Sequence, residues 1–135
     1  MQREIKINIK ISDEIPPIKI DKDALSQAIY NLLDNAIKFS ADKKGIGIIV
    51  KREKENLVIK VKDDGIGIPQ SEWDKIFEKF YQGKNALKYS PRGTGLGLTL
   101  VRHTAEAHGG KISVESKEGQ GSTFSLILPI INNMV

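Results

Sequence analysis

Asn31, Asn35 and Lys38 recur at i, i+4 and i+7 within a stretch of helical apolar spacing, so the three share one stripe away from the apolar face. A carboxamide oxygen is a hard ligand of the kind magnesium takes beside waters and nucleotide phosphates, and a lysine supplies a point charge for a phosphate chain. A solvated polar helix face would carry the same residues. In Asp63-Asp64-Gly65-Ile66-Gly67 a carboxylate at a strand end precedes two glycines, which let backbone approach a flat ligand closely. An ionised carboxylate only accepts, so it suits the exocyclic amine of adenine and repels the carbonyl oxygen of guanine. An ordinary Asp-Gly turn is the competing explanation. Gly93-Thr94-Gly95-Leu96-Gly97 opens a predicted helix, where exposed amides with little side-chain bulk form an anion cradle. The spacing is not that of the dinucleotide fingerprint, and a long polar loop precedes it instead of a strand. The fourth cluster, Gly119-Gln120-Gly121-Ser122-Thr123-Phe124, is satisfied by a glycine hairpin alone. In this order, the four clusters read as a nucleotide site.

Such residues need a scaffold, and the periodicities describe one. Ile5, Ile7, Ile9 and Ile11 alternate with polar residues and predict a half-buried edge strand before Pro16 and Pro17 interrupt it. From Asp21 to Phe39, Ala24, Leu25, Ala28, Ile29, Leu32, Leu33, Ala36 and Ile37 predict an amphipathic helix. Residues 45–52 and 56–61 predict two strands joined by the charged turn Glu53-Lys54-Glu55. Ser71 to Phe80 predicts short helical turns that carry Trp73, Ile76, Phe77 and Phe80 into the core. Residues 82–92 read as a mobile polar loop. A second helix is predicted from about Gly95 to His108, with Leu96, Leu100, Val101, Thr104 and Ala105 inward and Gly109-Gly110 as its C-cap. Strands near 111–116 and 123–129 follow. His103 and His108 read as structural, since neither has a second histidine or a cysteine at metal-ligand spacing. The expected fold is an α/β (α+β) two-layer sandwich: a mixed, mainly antiparallel sheet of about five strands covered on one face by about three helices.

The 135 residues suit a single domain, 1–135, and no repeat or internal linker divides them. With no cysteine, the chain has no disulfide, thiolate metal site or cysteine nucleophile. No apolar run approaches the roughly 20 residues that span a bilayer, and the first residues lack a secretion signal, so a soluble chain is expected. A net charge of +4 and a pI near 9.2 would invite a polyanion, but acids are interleaved with the lysines, and nucleic acid is not an expected partner.

Taken together, the clusters resemble the catalytic ATP-binding (Bergerat-fold) domain of two-component sensor histidine kinases, within the superfamily of gyrase-type ATPases and heat-shock chaperones. Residues 31–40 match its asparagine box, Phe77-Glu78-Lys79-Phe80-Tyr81 its phenylalanine box, and the other three clusters its glycine boxes. The resemblance covers essentially the whole chain. It implies that Asn35 is the magnesium ligand with Asn31 alongside, that Lys38 contacts phosphate, and that Asp63 reads adenine. Gly65 and Gly67 would make room for the base, Phe39 and Ile68 would wall the pocket, and Thr123 would border it near Asp63. Gly93, Gly95 and Gly97 would hold a lid of about residues 82–94, with Phe77 and Phe80 anchoring its near end. Tyr81, Arg92, Thr94, Leu96 and Leu98 complete the implied nucleotide contacts. Two positions depart from the pattern: Asp64 where asparagine is common, and Gln82 where arginine is common, so a phosphate-facing cation is either missing or supplied by Lys84, Lys88 or Arg92.

Hydrolysing relatives carry a glutamate four residues before the magnesium asparagine, where this chain has Asn31. A carboxamide does not take up a proton near neutral pH, so an intrinsic general base is missing. The resemblance then implies a histidine nucleophile on a separate dimerisation and phosphoacceptor domain, which the chain does not contain, and a response regulator downstream. A monomeric catalytic domain that binds magnesium ATP without phosphorylating itself is expected. A stand-alone serine kinase of the anti-sigma-factor type is the alternative, although its members usually carry the glutamate. A non-catalytic ATP-responsive interaction module is another.

Overall fold

The Asp21 side chain accepts a hydrogen bond from the Ala24 N–H at 3.0 Å, capping helix α1 (Lys22–Phe39) at its first turn. Leu25, Ala28, Leu32 and Ala36 recur along one face of α1 and are buried there. In this computed structural model, residues 6–12, 15–40, 45–79, 81 and 97–130 are described. Five strands form one sheet: β1 (Lys6–Ile11), β2 (Gly45–Glu53), β3 (Asn56–Asp63), β4 (Lys111–Lys117) and β5 (Gly121–Pro129). Their spatial order is β1-β2-β3-β5-β4, with β1 parallel to β2 and every other neighbour antiparallel. The parallel pair follows from connectivity, since α1 lies between β1 and β2 in the chain and supplies the crossover that parallel strands require.

Helix α2 (Gly97–Ala107) crosses the same face of the sheet beside α1 and packs against β4 and β5, while α1 packs against β3. The described residues contain two α-helices and a 3-10 turn at Gln70–Glu72, in place of about three helices. Residues 71–79 give isolated turns instead of a regular helix. Ile76 and Phe77 are nevertheless buried, and Trp73 is half-buried. The Phe77 ring meets Phe124 of β5 edge-on, with centroids 6.2 Å apart, and so ties this segment to the sheet. Alternate residues Leu57, Ile59 and Val61 of β3 and Phe124, Leu126 and Leu128 of β5 face the helices and complete the core.

Three burial expectations are corrected. Ile7, Ile9 and Ile11 are 45%, 63% and 61% exposed, and β1 is not half-buried. Their register places them beside Ile46, Ile48 and Val50 on the helix-facing side of the sheet, but β1 is the edge strand and the helices sit over β3, β4 and β5. Leu100 of α2 is 50% exposed, and the inward position next to Val101 is filled by Thr99, whose hydroxyl donates to the Phe77 carbonyl at 2.9 Å. Ile37, near the end of α1, is also exposed. No helix among the described residues is long and apolar enough to cross a membrane.

Candidate functional site

Strand β3 runs two residues further than its apolar pattern indicates and ends on Asp63, whose side chain is buried at the end of the sheet. The Gly65 N–H donates to Asp63 Oδ1 at 2.9 Å, and the Ser122 backbone amide, on the paired position of β5, also favours the charged carboxylate. Burial pushes the Asp63 carboxyl above the usual carboxylate range; the two amides pull it back only in part, and neighbouring Asp64 raises it further. The result is a buried acceptor that a ligand N–H can pair with, on an element held rigidly by the sheet.

The loop after Asp63 is fixed on three sides. The Ile66 N–H donates to the Phe39 carbonyl at the end of α1 at 3.1 Å, and the Ile66 carbonyl accepts from the Gly119 N–H at 2.7 Å. The Ile68 N–H donates to Ser116 Oγ at 2.7 Å. Ser116 in turn donates to the Gly121 carbonyl at 2.8 Å, which leaves the Ser122 hydroxyl, 2.7 Å away, as a donor to it. Gly67 has φ +73°, and a Cβ there would overlap the Lys117 carbonyl; a Cβ on Gly65 would overlap that of Phe39. Both glycines therefore admit the chain's own backbone. Trp73 Nε1 donates to the Ile68 carbonyl at 3.0 Å, closing the loop against the turns that follow.

On α1, Asn31 and Asn35 are half-buried and Lys38 is exposed, as the polar stripe requires. Asn31 Oδ1 accepts from Gln27 Nε2 at 3.2 Å, and Asn31 Nδ2 donates to the Gly97 carbonyl at 3.4 Å. Lys38 Nζ lies 3.0 Å from Asp34 Oδ2, an exposed i, i+4 pair in water-like surroundings. Phe39 and Ile68 are both half-buried, and Ile68, Leu98 and Tyr81 rest against the core. The Tyr81 hydroxyl donates to Glu72 Oε1 at 2.8 Å, and that carboxylate raises the phenol's pKa above its ordinary value.

The Phe39–Ile66 bond joins the C-terminal end of α1, which carries Asn31, Asn35 and Lys38 on its preceding turns, to the loop that carries Asp63, Gly65, Gly67 and Ile68. Gly97 and Leu98 begin α2, and Gly97 meets α1 at Asn31. Thr123 is placed differently from expectation. It pairs with Lys62, whereas Ser122 pairs with Asp63, so the residue sharing Asp63's face is Ser122. The period of two decides this, and the adjacent hydroxyls of the Gly-x-Gly-Ser-Thr cluster hid it. Arg92, Gly93, Thr94, Gly95 and Leu96, the expected lid at about 82–94, and Phe80 lie outside the described residues. Ser116 and Gln27 belong to none of the motif clusters; the fold brings Ser116 to the site, and Gln27 reaches Asn31 by the i, i+4 spacing of α1.

Residues 20–132 match the model of a family described as histidine kinase-, DNA gyrase B- and HSP90-like ATPase. The chain belongs to this family. Among relatives of this ATPase domain, the circadian input-output histidine kinase CikA of Synechococcus elongatus is 37% identical over 126 residues, covering 93% of the chain and 17% of that protein. The sensor histidine kinase WalK of Bacillus subtilis is 40% identical over 114 residues, covering 83% of the chain and 19% of that protein. The chain therefore spans about a fifth of the length of these relatives. In structure, the ATPase domain matches the catalytic domain of histidine kinase ThkA with a TM-score of 0.79 at 29% identity, over 93% of this chain and 80% of that one. The mycobacterial sensor histidine kinase MprB matches with a TM-score of 0.77 at 26% identity, over 96% of this chain and 83% of that one. Full-length ShkA, solved in complex with AMPPNP, matches with a TM-score of 0.79 at 29% identity over 93% of this chain and 25% of its own length. The mixed five-stranded sheet with helices on one side is the fold of these histidine kinase ATPase domains.

Proposed function

We propose that this chain binds magnesium ATP and donates the γ-phosphoryl group to a histidine on a separate dimerisation and phosphoacceptor domain, in a signalling pair completed by a response regulator. The observation that carries the proposal is the buried Asp63 carboxylate, held by the Gly65 and Ser122 amides at the end of β3. An acceptor so placed selects an amine-bearing base, which supports adenine over guanine. Phe39 and Ile68 wall the base on either side of the fixed loop, and Lys38 and the start of α2 stand on the phosphate side.

The donor chemistry of α1 fits magnesium. Asn35 offers a half-buried carboxamide oxygen, whereas the Asn31 oxygen is engaged with Gln27, which makes Asn35 the metal ligand of the pair. Magnesium, when bound, would neutralise charge on the phosphate oxygens. The chain itself orients ATP. The partner's imidazole nitrogen attacks the γ-phosphorus, the bond to the β-phosphate oxygen breaks, and ADP leaves with that electron pair. No carboxylate stands at Asn31 to deprotonate water, so bound ATP waits for the histidine instead of being hydrolysed. We assign residues 1–135 to one monomeric catalytic domain acting in the cytoplasm, with about residues 82–94 as the lid over the nucleotide.

Calorimetric titration with ATP and with GTP, each with and without magnesium, tests the binding half. ATP alone should bind, more tightly with magnesium, and Asn35→Ala should remove the magnesium dependence. Labelled ATP should leave the chain itself unlabelled and should label an added histidine-bearing domain from a sensor kinase. Phosphate on the isolated chain would contradict the proposal. Bound ATP without transfer to any such domain would favour an ATP-responsive interaction module.

A further inference from the structure

Gln27 stands one turn before Asn31 on the outer side of α1, and its Nε2 donates to Asn31 Oδ1 at 3.2 Å. Asn31 passes the connection on, donating from Nδ2 to the Gly97 carbonyl at 3.4 Å, and a Cβ on Gly97 would lie 3.9 Å from Asn31 Cβ and Cγ. The Gly97 carbonyl can only accept, so it sets the polarity of the whole line. With Asn31 turned over, its oxygen would face that carbonyl and its NH2 would face the NH2 of Gln27. Two weak bonds in series therefore hold one orientation of one amide.

We propose that Gln27 is a positioning residue of the nucleotide site: it fixes the Asn31 carboxamide so that Asn31 braces the first turn of α2 against α1. The inference rests on the nucleotide reading above. Asn35 and Lys38 lie one and two turns beyond Asn31 on α1, and Gly97 ends the glycine cluster assigned to the phosphates. The brace then sets the spacing between the two helices where they flank the phosphate chain, while Asp63 and the walls of the base pocket belong to β3 and its loop. Gln27 is exposed and holds no part of the core, so its removal acts on the brace and not on folding.

Gln27→Leu, Asn31→Ala and the double variant test this with ATP and adenosine as probes. Gln27→Leu should weaken magnesium ATP binding by about three- to tenfold, the effect one ordinary hydrogen bond carries, and leave adenosine binding unchanged. In the Asn31→Ala background Gln27→Leu should add nothing, because its effect passes through Asn31. An equal loss in both backgrounds, an equal loss for adenosine and ATP, or no loss of ATP affinity would each overturn the proposal. Wild-type protein that fails to bind ATP would instead sink the nucleotide reading. The brace is then judged by NMR without nucleotide, where Gln27→Leu must shift the Asn31 side-chain amide and the Gly97 and Leu98 backbone signals; unchanged spectra would sink it alone.

Discussion

Asp63 is an acid that folding makes weaker. Between the ordinary carboxylate pKa and its raised value, the folded chain keeps a proton that the unfolded chain has lost, so this group's contribution to stability falls as pH rises through that window and is level above it. Asp63→Asn removes the titration while keeping an acceptor for the Gly65 amide. The stability of Asp63→Asn relative to wild type should therefore grow with pH across the window, as read by urea unfolding at a series of pH values. On the proposed adenine contact ATP would require the ionised form, so wild-type affinity should weaken as pH falls through the same window, while Asp63→Asn should bind poorly throughout. Tyr81 is shifted in the same direction, by its bond to Glu72. Its hydroxyl donates to the buried Glu72, and Tyr81→Phe should cost about 1–3 kcal/mol by equilibrium denaturation.

Between elements, the loop from Asp63 to Ile68 has little freedom. It is bonded to the end of α1, to the β4–β5 turn and to Ser116, and Gly67 admits the Lys117 carbonyl with positive φ. Gly67→Ala should destabilise the fold by more than about 1 kcal/mol and weaken ATP binding with it, measured by melting and titration of the same sample. Helix α1 was readable because its cap, its apolar period and its polar stripe all agree at Asp21, Leu25 to Ala36 and Asn31 to Lys38. The exposure of Ile7, Ile9 and Ile11 was not, because alternation reports which residues share a face and not whether a helix lies over that face. The exchange of Thr123 for Ser122 beside Asp63 has a similar origin: strand register is set by pairing with β3, which a single strand's sequence does not contain. Ser116 carries no motif at all, and its role arises only when β4 meets the loop after β3, whereas Gln27, also outside the motifs, reaches Asn31 within a single turn of α1.

For the whole molecule, a ligand that binds only the folded chain adds stability by mass action. Magnesium ATP at a hundredfold excess over its dissociation constant should add about 2.7 kcal/mol and raise the melting temperature by several degrees, and GTP at equal concentration should not. Helices α1 and α2 meet each other on one face of the sheet, and the loop after β3 is stitched to the end of α1 and to β4 and its turn. The same stitching has an optical consequence. Trp73 is the chain's single tryptophan, and its indole N–H is bonded to the Ile68 carbonyl, at the end of the loop that Asp63 begins. Emission excited at wavelengths only tryptophan absorbs therefore originates beside the proposed adenine pocket, without dye or label, and adenine entering that pocket should write its arrival into the colour and intensity of one indole.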